Sequence, residues 1–292
     1  MKNLLFMLAL GLMLTMLFGC SDRPDVTRPD QGPAVTLVQR PEFIETRPDE
    51  VVSQFTLAIE SNIVFEKKPP SPPPDTYGPD PNPNPAHKYA YIVGIADYEG
   101  TANDLEFPDD DAIAMKAYYE SQGFTCRMDL NLDATADNIT AGLQWLIDNA
   151  EPGDEVCFNY SGHAGKAQKY GSSLISADLY YITHGYVMSY FNAVDCSKKL
   201  VAMDACVLGD FFSDVENGTL MALASTNCFS WDAPDLGHGA WTYYFLEGAG
   251  SLTYGEDIAN YAEDGMEAWG AQYNINVCPE HWDAYTGGGF DI

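Results

Sequence analysis

The sequence predicts an α/β domain with a mostly parallel central sheet and helices on both faces. Three observations lead there. Short apolar runs of strand type alternate with stretches of helical periodicity. The composition breaks near residue 86, and the block from 87 to 292 has the length of one large domain. Two of the apolar runs end in residues able to do chemistry, His163 and Cys206. In an open parallel sheet, ligands and reactions gather at the carboxyl ends of strands.

The chain opens on Lys2 and an apolar stretch from Leu4 to Phe18, too short for a comfortable membrane span. It ends in Leu17-Phe18-Gly19-Cys20, which resembles the bacterial lipobox, whose Cys is acylated and becomes the new N-terminus. Residues 1–19 are therefore expected to be a lipoprotein signal peptide, with Cys20 as the lipid attachment. That implies export and lipid anchoring to the bacterial cell envelope, on its periplasmic or surface side. Residues 20–86 read as a Pro-rich tether. Fourteen of the chain's 18 prolines fall between Ser21 and Ala86, and proline fixes φ and removes a donor, which favours extended spacers. One island, Val51 to Ile59, alternates enough to form a strand or a sticky piece of tether.

Residues 87–292 hold 32 acidic and 7 basic side chains. Such a surface repels nucleic acid and favours cationic partners. Beyond Cys20 there are six cysteines, and in an oxidising compartment the simplest account is pairing. Cys157 lies inside an expected central strand and Cys206 follows another, which argues against full pairing. One or two disulfides among the others are expected, with Cys206 kept as a thiol. No CxxC or other metal-ligand spacing occurs, so no structural metal site is expected.

The elements follow in order. Tyr89 to Ile95 is a buried strand. Asp109 to Gln122 is a helix with acids in its first turn and Gly123 at its end. Phe124 to Leu130 is the second strand. Thr135 caps a helix whose apolar residues Ile139, Leu143, Leu146 and Ile147 share one face. A turn at Glu151-Pro152-Gly153-Asp154 leads into Val156 to Tyr160, the strand before His163. Ala164 to Ser197 is long and rich in Gly, Ser and Tyr, with no assigned element. Leu200 to Met203 precedes Cys206, followed by a short helix through Phe211 and Phe212. Thr219 to Ser225 is a strand, Ala240 to Glu247 and Glu256 to Trp269 are helices, and Asn274 to Ile292 carries no clear pattern.

Two neighbouring strands that deliver an imidazole and a thiol to one edge would place a nucleophile beside its base. The residues around them resemble a known group. Tyr160-Ser161-Gly162-His163 is similar to the metacaspase and caspase-like Y-S-G-H-G motif, and Asp204-Ala205-Cys206-Val207-Leu208-Gly209 to their D-S-C-H-S-G motif. Val93 to Tyr98 resembles the family's first-strand motif, and Asp110-Asp111-Ala112 sits where the family has N-D-A. The resemblance runs from about Tyr89 to Gly248. It implies a caspase-haemoglobinase-like three-layer sandwich and cysteine endopeptidase chemistry. Cys206 would be the nucleophile and His163 the base. Backbone amides around Gly162 and Ala164 would hold the oxyanion. In metacaspases the Asp two before the Cys lines a pocket for Arg or Lys, which maps to Asp204, with Asp111 as the second acid.

The departures are Ala164 in place of a Gly, Ala205 in place of Ser, and Val207-Leu208 in place of His-Ser. If the family geometry needs φ > 0 at residue 164, Ala there would distort the oxyanion pocket. That supports the alternative of an inactive caspase-like fold serving as an envelope-anchored binding module. A third reading is another hydrolase or transferase built on the same dyad. His184, His238 and His281 compete as bases but lack strand-end context; His238 reads as a pocket or loop residue. Some metacaspases bind calcium, yet neither Asp109 to Asp111 nor Asp129 to Asp133 matches an EF-hand loop. No cofactor is required, and calcium is an optional one. The expected partners are peptides or proteins with basic residues, and the membrane through the N-terminal lipid, without nucleic acid.

Overall fold

The computed structural model of the chain describes residues 37–39, 77–167 and 170–292. The signal peptide, Cys20 and the island Val51 to Ile59 lie outside the described residues. A short strand β1 (Leu37–Gln39) precedes the main run of elements. Then come β2 (Lys88–Gly94), α1 (Pro108–Ser121), β3 (Thr125–Leu130), α2 (Ala136–Asn149) and β4 (Glu155–Ser161). The stretch without an assigned element resolves into β5 (Ala164–Lys166), β6 (Ser172–Ile175), β7 (Tyr180–Thr183) and α3 (His184–Asn192). β8 (Lys198–Asp204), a 3₁₀ turn over Gly209–Asp214 and β9 (Thr219–Leu223) follow, then β10 (Asp232–Ala233) and β11 (His238–Gly239). The chain closes with α4 (Ala240–Ala249), α5 (Gly255–Tyr273) and β12 (Glu280–Asp283).

The central sheet has the order β12-β9-β8-β4-β2-β3. Its inner pairs are all parallel, and β12 joins antiparallel at one edge. This is the expected mostly parallel sheet, and its two faces are covered separately. Tyr91, Val93, Phe158 and Met203 point to one face, where they meet Ile139, Leu143 and Leu146 of α2 and Phe191 of α3. Their neighbours Ala90, Ile92, Cys157 and Leu200 point to the other, against Met115 and Tyr119 of α1, Phe245 of α4 and Trp269 of α5. Continuous apolar strands covered on both faces are what crossover helices demand. Each large side chain fully buried here contributes about 1.5–3 kcal/mol.

A second, four-stranded sheet has the order β1-β7-β6-β5. It grows directly out of β4, because β5 starts at Ala164. Its strands are only three or four residues long, which is why no period stood out in the sequence. Thr135 caps α2 as expected, accepting from the Asn138 N–H. One disulfide joins Cys228 to Cys278, while Cys126, Cys157, Cys196 and Cys206 are outside any bridge. Among the described residues no helix is long and apolar enough to cross a membrane.

The amino ends of the strands carry a buried ion cluster. Lys198 Nζ lies 2.8 Å from Asp80 and 3.1 Å from Glu155, and Lys88 lies 3.3 Å from Glu155. Lys198 also donates to the Asp291 carbonyl. Asp80 belongs to the alternating Pro79 to Pro85 stretch, read from the sequence as the end of the spacer. Its carboxylate is 1% exposed and takes a hydrogen bond from Tyr285, so this part of the tether is built into the domain. Proline spacing signals an extended backbone but does not reveal what that backbone is pinned to. Removing one partner of a buried pair leaves the other charge uncompensated. Asp80→Ala is therefore expected to lower unfolding stability by about 3 kcal/mol in urea titrations, with Asp80→Asn costing less.

Candidate active site

β4 and β8 are adjacent and parallel, and their register sets Ser161 opposite Asp204. The Gly162 N–H donates to the Asp204 carbonyl at 3.2 Å, which extends the ladder by one step. Two residues beyond the matched pair the chains reach His163 and Cys206. Both line one cavity, together with Asp111, Asp204, Ser230 and Gly239. Its volume is about 30 Å³, room for a water molecule.

His163 is 6% exposed and held from several sides. Its backbone N–H donates to Tyr98 Oη at 2.7 Å, and the Tyr98 ring lies against the imidazole with centroids 5.1 Å apart. Its carbonyl accepts from Tyr160 Oη at 2.6 Å and from the Ile175 N–H at 3.0 Å. The ring Nε2 lies 2.9 Å from the Asn103 carbonyl. A carbonyl only accepts, so Nε2 carries a proton, and in the neutral ring the lone pair then falls on Nδ1. Burial pushes both tyrosine hydroxyls up, so they stay protonated. Asn103 sits in a loop with no motif of its own, and Tyr98, the last residue of the first-strand motif, carries no sequence signal that its hydroxyl would meet His163.

Gly162 has φ of 152°. A Cβ there would fall 2.8 Å from Tyr98 Oη and 3.0 Å from Tyr160 Oη. Glycine is thus required both by conformation and by the tyrosines that seat the histidine. Ala164 is different: it is not among the positive-φ residues. It opens β5 and sits opposite Leu174. The Ile175 N–H to His163 carbonyl bond makes 163 and 175 the hydrogen-bonded pair, so 164 and 174 form the next, non-bonded pair. The Ala164 N–H therefore points away from β6. Among the described residues β5 is the outer strand of its sheet, so that amide faces away from the other strands.

Cys206 is partly buried, and its sulfur accepts from the Ser230 N–H at 3.3 Å. The next residue, Val207, has φ of 50°. A β-branched residue there carries strain of order 1–3 kcal/mol, a cost met chiefly at functional sites. The turn is held by backbone bonds from Val207 to Cys228, Leu208 to Ser225 and Gly209 to Thr226.

Two carboxylates lie beside His163 and Cys206. Asp111 is the inward-facing member of the acidic first turn of α1 and is 1% exposed. It accepts from Ser161 Oγ at 2.8 Å and the Gly239 N–H at 3.0 Å, and pairs with His238 Nδ1 at 2.9 Å. Asp204 accepts from Thr242 N at 3.0 Å, Thr242 Oγ1 at 2.8 Å, and Ser230 Oγ. A Cβ on Gly239 would collide with both carboxylates, 2.8 Å from Asp111 Oδ2, so the two acids converge on the space this glycine leaves open. Burial, and then the charge of Asp111, push Asp204 up to about 7. The bond to Asp111 draws the His238 imidazole above its ordinary value. His163, Cys206, Gly162, Asp204 and Asp111 thus surround one cavity, and Ala164 follows directly on His163. Cys20 lies outside the described residues. Among the described residues no three His, Cys, Asp or Glu side chains form a group that could hold a metal.

The family profile described as "Caspase domain" matches residues 87–251. Metacaspase-1 of Lodderomyces elongisporus is 34% identical over 90 residues, and that of Candida albicans 31% over 90 residues. Each alignment covers 28% of this chain and 20% of the relative, so the match spans about a fifth of these proteins. Among solved structures, protein GSU0716 from Geobacter sulfurreducens superposes with a TM-score of 0.53 at 14% identity. That superposition covers 69% of this chain and 94% of the other, and shows a shared fold.

The raised value of Asp204 has a consequence for stability. The folded protein binds a proton at Asp204 that the unfolded chain has already lost, over the interval from the ordinary carboxylate range up to about 7. The contribution is therefore present at low pH and lost as pH rises through about 7. Asp204→Asn should flatten the fall in melting temperature across that interval, measured by calorimetry at matched ionic strength.

Proposed function

The chain belongs to the caspase-domain family, and on that premise we propose that it is a cysteine endopeptidase with Cys206 as nucleophile and His163 as base. The observation that carries this reading is that one cavity is lined by both groups, each two residues past a matched register pair. The Asn103 carbonyl keeps the proton on Nε2, so Nδ1 is the atom that takes the thiol proton. The thiolate adds to the peptide carbonyl, and the imidazolium then protonates the leaving amine. Water, deprotonated by the same nitrogen, releases the acyl group. The N–H groups of Ala164 and Cys206 serve as oxyanion donors. The extended backbone at Ala164, with its N–H turned away from β6, supports that role.

Cleavage after Arg or Lys is the specificity that the acids favour. Asp111 and Asp204 are buried, converge on one space, and receive their hydrogen bonds mostly from neutral donors. A guanidinium or ammonium entering between them would supply the missing positive charge through charge-assisted bonds. His238, whose Nδ1 lies 2.9 Å from Asp111, supplies part of that positive charge. No cofactor takes part in this scheme. Acylation at Cys20, and with it a place at the bacterial envelope, belongs to the same proposal and rests on Leu17 to Cys20.

The test uses an alkylating peptide ending in Arg and Arg or Lys reporter peptides. The inhibitor should modify Cys206, and Cys206→Ala should lower turnover at least about a thousandfold. Asp204→Asn should cut kcat/KM for basic reporters by about tenfold or more while leaving a thermal transition intact. Labelling without turnover would favour the binding-module reading. Turnover that survives Cys206→Ala would sink the dyad.

A further inference from the structure

The loop from Ser225 to Trp231 does more than connect β9 to β10. Its backbone grips the segment that starts at Cys206 at four points. Ser230 N–H donates to the Cys206 sulfur at 3.3 Å, and Cys228 accepts from the strained Val207 at 3.1 Å. Ser225 accepts from Leu208 at 2.9 Å and Thr226 from Gly209 at 2.8 Å. The loop has no regular element of its own; Ser225 Oγ bonds the Cys228 backbone and Ser230 Oγ bonds Asp204. It is also tied to the C-terminal segment. Cys228 is bridged to Cys278, closing 50 residues of chain, and Thr226 N–H donates to the Cys278 carbonyl at 3.0 Å. Ser225 and Cys278 form an isolated parallel β-bridge.

We propose that the Cys228–Cys278 disulfide is a positioning element of the active site, clamping the loop that presents the Ser230 N–H to the Cys206 sulfur and fixes Val207. The proposal rests on the reading of Cys206 as the nucleophile. The bridged protein thus combines two redox states, a closed disulfide at 228–278 and a reduced thiol at 206. Opening the bridge takes two electrons and two protons from a dithiol, which leaves as its own disulfide while Cys228 and Cys278 become thiols. The freed loop no longer holds its N–H on the sulfur, and a thiolate loses a charge-assisted donor.

The test compares the full chain with its Cys228→Ser, Cys278→Ser double variant. Alkylation of Cys206 by iodoacetamide is followed by peptide mass spectrometry across neutral pH, well below both melting temperatures. The other titratable groups around the cavity, His163, Asp111, Asp204 and Asp232, and the buried Tyr160 beside it, are common to both proteins. The variant is expected to show its alkylation midpoint about one pH unit higher, with a rate near neutrality about tenfold lower. Should the variant fail to fold, wild-type protein treated with dithiothreitol should show the same displacement. An unchanged profile beside a lowered melting temperature would overturn the proposal and leave the bridge a purely structural staple. The readout needs no turnover. Loss of reporter cleavage with this displacement intact would count against the peptidase reading alone. A wild-type Cys206 that alkylates like an unperturbed thiol would remove the nucleophile itself.

Discussion

The site depends on the register between β4 and β8. With Ser161 opposite Asp204, equal offsets carry one strand to His163 and the other to Cys206 at the same sheet edge. A slip of one residue would reverse which face each side chain meets. Close packing on both faces resists that slip, because Phe158 and Met203 fill one core and Cys157 and Leu200 the other. Packing therefore sets the chemistry: the two cores fix the register, and the register brings the imidazole and the thiol to one cavity.

The second constraint is electrostatic. Two buried carboxylates share a small space, and like charges so placed disfavour joint ionisation. The fold satisfies them with hydroxyls and backbone N–H groups, and one part-exposed imidazole, His238, supplies positive charge. That leaves two carboxylates against one imidazole, and the proposed preference for basic side chains rests on this imbalance. The ion cluster at the opposite end of the sheet follows the reverse logic. There Lys198 is fully matched by Asp80 and Glu155, and the result is attachment of the chain's outer segments.

Much of this was legible in the sequence, for reasons that can be traced. The buried strands showed as apolar runs, and α2 showed its face through Ile139, Leu143 and Leu146. His163 and Cys206 stood out because each follows such a run. Asp204 and Asp111 came through the family resemblance rather than through charge patterning, since Asp109 and Asp110 look the same as Asp111 in sequence and only Asp111 turns inward. The second sheet was not legible: strands of three or four residues carry too little period. β12 was missed because Glu280-His281-Trp282-Asp283 is an edge strand with no buried residue. Tyr98, Asn103 and Ser230 come from loops, and only the fold brings them to the histidine and the thiol. The doubt over Ala164 also needed the backbone, because strand pairing and not residue type decides where its N–H points.

The most direct test of this account is whether Cys206 and His163 face each other across one cavity. A short bifunctional alkylator such as a dihaloacetone first captures a thiol and then reaches for a nearby nitrogen. Peptide mass spectrometry of the treated protein should find residue 206 bridged to residue 163. A bridge from Cys206 to His238 instead, or capture of Cys206 at one end only, would contradict the arrangement on which the proposed chemistry stands.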